Sequence, residues 1–247
     1  MHGSTAQRQP RFLASVTTAD EADLALRGGA DIIDAKNPLA GALGALPVDV
    51  VRSIIVRVAG RAPVSATVGD LPAEPRVLVE AARAMAATNA NFVKIGFFGH
   101  ADPRAAIETL GNADIGQSTL VAVLMADRDP DFSLLPVLAK HGFGGVMLDT
   151  AGKAAGALTD ALPLARLSEF VRLARAAGLT AGLAGSLRLE HVATLSSLQP
   201  GILGFRGALC RLGRTSALDA KNVCAVRAAL DALDAADEHV TNKRPAA

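Results

Sequence analysis

The chain has 247 residues, half of them apolar, and a formal charge of +1 at pH 7, without the basic footprint of a nucleic-acid binder. Eight Phe with no Trp or Tyr leave little to stack bases on, and no uncharged apolar run approaches the ~18 residues needed to cross a bilayer. The two cysteines, Cys210 and Cys224, form no CxxC pair and have no His spacing beside them that suits zinc, so they read as reduced thiols packed in or near a core. Residues 1–10 are polar and lead straight into a strand rather than forming a signal peptide, so a cytoplasmic location is expected.

The first strand is predicted over 12–16 and an amphipathic helix over 18–26, with Thr18 as N-cap and Gly28-Gly29 as its stop. The second strand lies in Asp31-Ile-Ile-Asp-Ala-Lys36, which breaks into a Pro/Gly loop before a helix over 47–58. Strands follow at 64–68, 92–96, 120–124, 145–149, 180–183 and 202–205. Helical patterns alternate with them at 75–88, 103–110, 133–141, 164–177, 187–198 and 219–236. Eight short apolar strands, each followed by a helix with no linker between, predict parallel pairing through right-handed crossovers. In this length that means a single (β/α)8 TIM barrel over 11–237, between a flexible tail at 1–10 and a disordered one at 238–247. An open doubly wound sheet is the alternative if one weak strand, the third or the seventh, is misread.

In such a barrel the chemistry gathers at the C-terminal ends of the strands. Those positions hold Asp34 and Lys36 on the second strand, which share one face because strand side chains alternate. They also hold Lys94 on the fourth strand, Asp149 at the end of the sixth, and Lys153 just beyond it. The chain has 19 Arg and only six Lys, yet three of the six lie in or just after apolar strands. Arginine keeps its proton in proteins, whereas burial and neighbouring cations can tune a lysine into a nucleophilic amine. The bland alternative is that these lysines simply neutralise Asp34 and Asp149.

Gly182-Leu-Ala-Gly-Ser186 closes the seventh strand and Gly204-Phe-Arg-Gly-Ala208 the eighth, each expected to open a helix. Glycine-rich turns at helix N-termini after these two strands suit a phosphate, held at Gly185, Ser186, Gly207 and Ala208. Arg206, in the same stretch, joins them as a phosphate-binding candidate, facing either the site or solvent. His100, His141 and His191 read as surface or outer-ring residues, and Asp127 and Asp129 as mouth carboxylates or turn formers.

Together, Gly28-Gly-Ala-Asp-Ile-Ile-Asp-Ala-Lys-Asn-Pro38, Phe92-Val-Lys-Ile-Gly96, Leu148-Asp-Thr-Ala-Gly-Lys153, Gly182-Leu-Ala-Gly-Ser-Leu187 and Gly204-Phe-Arg-Gly-Ala-Leu-Cys210 resemble one family. It is the (5-formylfuran-3-yl)methyl phosphate synthase, or 4-(hydroxymethyl)-2-furancarboxaldehyde-phosphate synthase, family of methanofuran biosynthesis. The resemblance spans roughly residues 12–235. It implies a barrel lyase that condenses two glyceraldehyde 3-phosphate molecules, the family's Schiff-base lysine falling on Lys36. The family's second lysine falls on Lys94, its strand-two aspartate on Asp34, and its later Asp and Lys on Asp149 and Lys153. No metal or organic cofactor is implied, and the partner is a small triose phosphate, with a homo-oligomer compatible. A class I aldolase, a triose-phosphate isomerase-like enzyme and a non-catalytic barrel sensing a phosphorylated metabolite are the competing readings.

Overall fold

The computed structural model describes residues 9–98, 102–152 and 156–241, with side chains on the last helix as far as Leu233. Eight parallel strands close into a barrel in sequence order. They are β1 (Arg11–Val16), β2 (Ile32–Ala35), β3 (Val64–Thr67), β4 (Phe92–Phe97), β5 (Thr119–Met125), β6 (Gly145–Asp149), β7 (Thr180–Leu183) and β8 (Ile202–Phe205). The closed (β/α)8 barrel is therefore the fold, and the open sheet is set aside. The outer layer comprises α1 (Ala19–Arg27), α2 (Val48–Val58), α3 (Pro75–Ala86), α4 (Arg104–Gly111) and α5 (Leu134–Lys140). It continues with α6 (Leu158–Ala161), α7 (Leu164–Ala176), α8 (Val192–Ser196) and α9 (Ala220–Thr241).

Each strand buries both faces, and for that reason the strands appear as apolar runs rather than strict alternations. Outward residues such as Phe12, Ile33, Val93, Ile95, Val146 and Leu183 pack under helical stripes spaced by three or four, such as Val51, Ile54 and Val58 on α2. Inward residues form a second, smaller cluster: Leu13, Ile32, Val123, Met125 and Met147, capped by Ala42 and Leu43 from the loop after β2. At the β1–β8 closure Phe12 meets Phe205 edge to face, with ring centroids 5.8 Å apart. Thr18 caps α1 by accepting the Glu21 N–H, as its sequence position predicts.

Three details depart from the sequence reading. The single helix expected over 187–198 is a 3-10 turn, Leu189–His191, followed by the short α8. After β8 only the 3-10 turn Gly207–Leu209 precedes a long loop to α9, which itself runs to Thr241, into the segment expected to be a disordered tail. The rest of that segment, from 242, and residues 1–8 of the expected N-terminal tail lie outside the described residues. Cys210 is buried as expected, but Cys224 is exposed on α9, where a thiol packs nothing.

The barrel is closed from outside where α1 ends against α9. A Cβ on Gly28 would lie 2.3 Å from Cγ1 of Val223, a fully buried β-branched residue with little freedom to retreat. Gly28→Ala is therefore expected to cost about 1–3 kcal/mol by overpacking. Urea unfolding would register this as a lower midpoint with an unchanged slope.

Candidate active site

The inward alternation of β2 brings Ile32, Asp34 and then Lys36 to the barrel interior, one above another. Strand register sets the flanks of Asp34, opposite Ser15 of β1 and Ser65 of β3. Ser15 Oγ donates to Oδ2 at 2.9 Å, and Ser65 Oγ to Oδ1 at 2.5 Å. Lys94 Nζ, reaching from β4, donates to both carboxylate oxygens at 2.9 and 3.0 Å. Lys36 Nζ instead crosses to Oδ2 of Asp149 at 3.1 Å, while Oδ1 of that carboxylate accepts the Thr150 N–H at 2.8 Å. Both ion pairs are buried. Of the three lysines singled out in the sequence, two converge here; Lys153, like His100, lies outside the described residues.

The electrostatics follow from that arrangement. Burial pushes the Asp34 pKa up, but the ammonium groups of Lys94 and Lys36 and the Ser65 hydroxyl outweigh it, so the carboxyl is held below its ordinary value. Burial pulls the Lys94 amine down; Asp34 only partly restores it, and the second cation at Lys36 depresses it further. The two directions are compatible, because Asp34 has more cations and donors around it than Lys94 alone supplies.

Above the pairs opens a cavity of about 520 Å³. Room for it comes from missing side chains. Ala184 and Gly204 line it, standing so close that a Cβ on Gly204 would lie 3.1 Å from Cβ of Ala184. The turn after β7 lines one wall, with Gly185 and Ser186 both left-handed at φ 108° and 49°. Gly185 presses on Thr150, where a Cβ would sit 3.0 Å from its methyl, so the β6 and β7 ends are in direct contact. Gly207 and Ala208 line the wall beside β8. The anion-favouring dipole expected there is smaller than the sequence suggested, because each turn opens a 3-10 turn rather than a long helix.

Arg206 also borders the cavity, yet all five of its N–H groups are already engaged. Nε donates to the Arg214 carbonyl, Nη1 to Ser15 O and Glu21, and Nη2 to Glu21 and Ser216 O. Glu21 is held below its usual carboxylate pKa despite burial, by Arg206 and by Thr17. Arg206 is thus a brace between β1, α1 and the β8 loop, its donors committed within the protein. Asp127 is likewise a brace, accepting the Ala151 and Gly152 N–H groups at 2.7 Å each and so fixing the chain just after Asp149. Against expectation, His191 lines the cavity, with Nδ1 accepting the Arg188 N–H.

Three contributors were missed in the sequence. Ser15 and Ser65 carried only a weak signal, a hydroxyl inside an apolar strand. Arg214, which lines the cavity from the β8–α9 loop, carried none among 19 arginines. Among the described residues no group of three or more His, Cys, Asp or Glu could hold a metal ion, and no helix is long and apolar enough to cross a membrane.

The model of the 4-HFC-P synthase family matches residues 12–227. The chain belongs to that family. A Methylorubrum extorquens relative of this 4-HFC-P synthase family member is 43% identical over 95% of the chain and 97% of its own length. The (5-formylfuran-3-yl)methyl phosphate synthases of Methanopyrus kandleri and Archaeoglobus fulgidus are 38% and 34% identical, each over 83% of the chain and 91% and 93% of theirs. Family membership makes the chain an enzyme. Among solved structures, phosphoribosyl anthranilate isomerase from Thermus thermophilus matches at TM-score 0.66 and 16% identity, over 90% of the chain and 99% of its own. That likeness is one of fold.

The buried Asp34–Lys94 pair gives a stability test. Asp34→Asn is expected to cost about 3–5 kcal/mol by stranding the Lys94 ammonium, and adding Lys94→Met should recover most of it. With its counter-charge gone, the amine pKa falls further below its unfolded value of roughly 10.4, so the single variant should gain stability as pH rises across that window. In the natural chain the lowered Asp34 pKa works in the opposite range. Its contribution is full above the unfolded value of roughly 3.9 and is lost as pH falls through the folded one. Urea unfolding of the three proteins from pH 2 to 10 checks both; a double variant no more stable than Asp34→Asn would contradict the first.

Proposed function

We propose that this enzyme condenses two molecules of glyceraldehyde 3-phosphate into (5-formylfuran-3-yl)methyl phosphate, releasing one phosphate and two waters, as a step of methanofuran biosynthesis. The observation carrying this reading is the pair of lysine–aspartate contacts on one cavity floor, Lys36 with Asp149 and Lys94 with Asp34, beneath two glycine-bearing turns.

Lys36 is the amine that forms the Schiff base. It is held by one hydrogen bond to Asp149, whereas Lys94 is held by two to Asp34, so Lys36 is released more readily towards a carbonyl. Asp149 takes the proton that the attacking amine sheds and returns it to the departing carbinolamine oxygen as water leaves. The resulting iminium withdraws electrons from the adjacent carbon, whose proton is removed by a carboxylate, and that carbon attacks the second aldehyde; water then hydrolyses the imine, freeing Lys36 and the product aldehyde. Lys94, whose burial lowers its pKa below that of an ordinary lysine, gives up a proton more readily than a surface lysine and is suited to the new alkoxide and to the phosphate that departs. Asp34 keeps Lys94 in place. Gly185, Ser186, Gly207 and Ala208 cradle the phosphate that is retained, and Lys153 joins the site on the strength of its sequence position alone. No step calls for a metal or an organic cofactor.

Borohydride reduction in the presence of glyceraldehyde 3-phosphate, followed by peptide mapping, is expected to tag Lys36. Lys36→Ala should lower turnover roughly 10³-fold or more. Turnover is read as a near-ultraviolet furan-aldehyde band together with released phosphate. A tag on Lys94 would reassign the amine, and an unconjugated aldol or isomer as product would replace the activity.

A further inference from the structure

The reaction proposed above carries two phosphate groups through one cavity, and among the described residues most of the cavity's cations are already committed. Lys36 serves Asp149, Lys94 serves Asp34, and every N–H of Arg206 is engaged within the protein. Arg214 differs. Its Nη2 donates to the Gly41 carbonyl at 3.1 Å, and its four other guanidinium N–H groups have no partner among the described residues. The side chain is half-buried in the cavity wall.

We propose that Arg214 is the side-chain ligand of substrate phosphate in this cavity, pre-aimed by its bond to Gly41. The inference rests on the reading of the substrate as a phosphate ester.

Its geometry has three parts. Gly213, at φ 99°, makes the left-handed turn that delivers Arg214 to the cavity. Gly207 lies alongside, since a Cβ there would be 3.9 Å from Cβ of Arg214 and nothing else would come within 4 Å. The guanidinium stem therefore rises beside the backbone turn expected to cradle phosphate. The third part is the anchor. Asp70 accepts the N–H groups of Ala42 and Leu43 at 2.8 and 2.7 Å, and Leu43 is buried over Gly96. Gly41, at φ 98°, packs so closely on Asp70 that a Cβ would fall 2.1 Å from Oδ2. The carbonyl that holds Arg214 is thus itself immobilised, on the loop that follows Lys36.

The chemistry favours an anion here. Burial and the nearby Arg206 cation destabilise the Arg214 charge and lower its pKa, and Asp149 and Asp70 offset this in part. A phosphate dianion would complete the compensation, and a planar fork with donors to spare suits two phosphate oxygens at once. Because the Gly41 bond uses one donor only, phosphate can bind without breaking it, and the ester is then tied to the loop adjoining the reactive amine. Arg188 borders the same cavity but is exposed, so water competes there for any anion.

Calorimetric titration with glycerol 3-phosphate, a non-reacting ester, and steady-state kinetics with glyceraldehyde 3-phosphate test this on the full chain. Arg214→Ala is expected to weaken ester binding and raise KM roughly 10–100-fold, the loss of charge-assisted hydrogen bonds. Arg214→Lys should recover part of that loss, and Arg188→Ala should stay within about threefold of the natural chain. If Arg214→Ala does not fold, Arg214→Lys and Arg214→Gln are compared instead. Ester affinity unchanged in the Arg214 variants, or lost instead in Arg188→Ala, overturns the proposal even if furan is made. Ester binding that depends on Arg214 without any furan product upholds it while removing the proposed reaction.

Discussion

The structure depends on a carboxylate placed where carboxylates are most costly, at the centre of a closed barrel. Asp34 has no exposed surface, yet it accepts two serine hydroxyls and a bidentate lysine. A buried charge is tolerable only if such partners are in place. The partners come from β1, β3 and β4, so satisfying Asp34 locks the register of half the barrel around β2. A slip of one residue would turn Asp34 outwards into the apolar layer and leave Lys94 without its anion. Ser15 and Ser65 are explained by the same requirement.

From that floor the rest of the site follows by subtraction and bracing. Small residues just after β7 and on β8, Ala184 and Gly204, leave a space that larger side chains would fill. Around the rim, polar groups are tied down through backbone contacts. Asp127 holds the chain after β6, Asp70 the loop after β2, and Arg206 the loop after β8. Such bracing keeps reactive groups at set distances, so that a bound substrate finds them already oriented.

The two arginines of the β8 region illustrate how alike residues divide their labour. Arg206 lies in the motif and is saturated by Glu21 and three carbonyls, so it serves the fold. Arg214 lies outside the motif and is left with donors facing the cavity. Which of them can serve a ligand depends on the unused hydrogen-bonding capacity, a quantity that residue type does not reveal.

Much was legible in the linear order of residues. Parallel strands buried on both faces appear as short apolar runs, so all eight were found within a residue or two of their ends. Lysine's rarity in an arginine-covered chain singled out Lys36 and Lys94, because an ammonium inside an apolar strand demands a partner nearby. Period-two alternation put Asp34 and Lys36 on one face. These features are local: they follow from spacing, burial and charge along a few residues. What tertiary structure alone decided is pairing at a distance. That Lys94 serves Asp34 while Lys36 serves Asp149, and that Ser15 and Ser65 flank the buried carboxylate, depend on strand register and barrel closure. So does the opposite fate of Arg206 and Arg214. Closure brings residues a hundred or more positions apart into hydrogen-bonding range, and a side chain's role is then set by which donors and acceptors remain unclaimed.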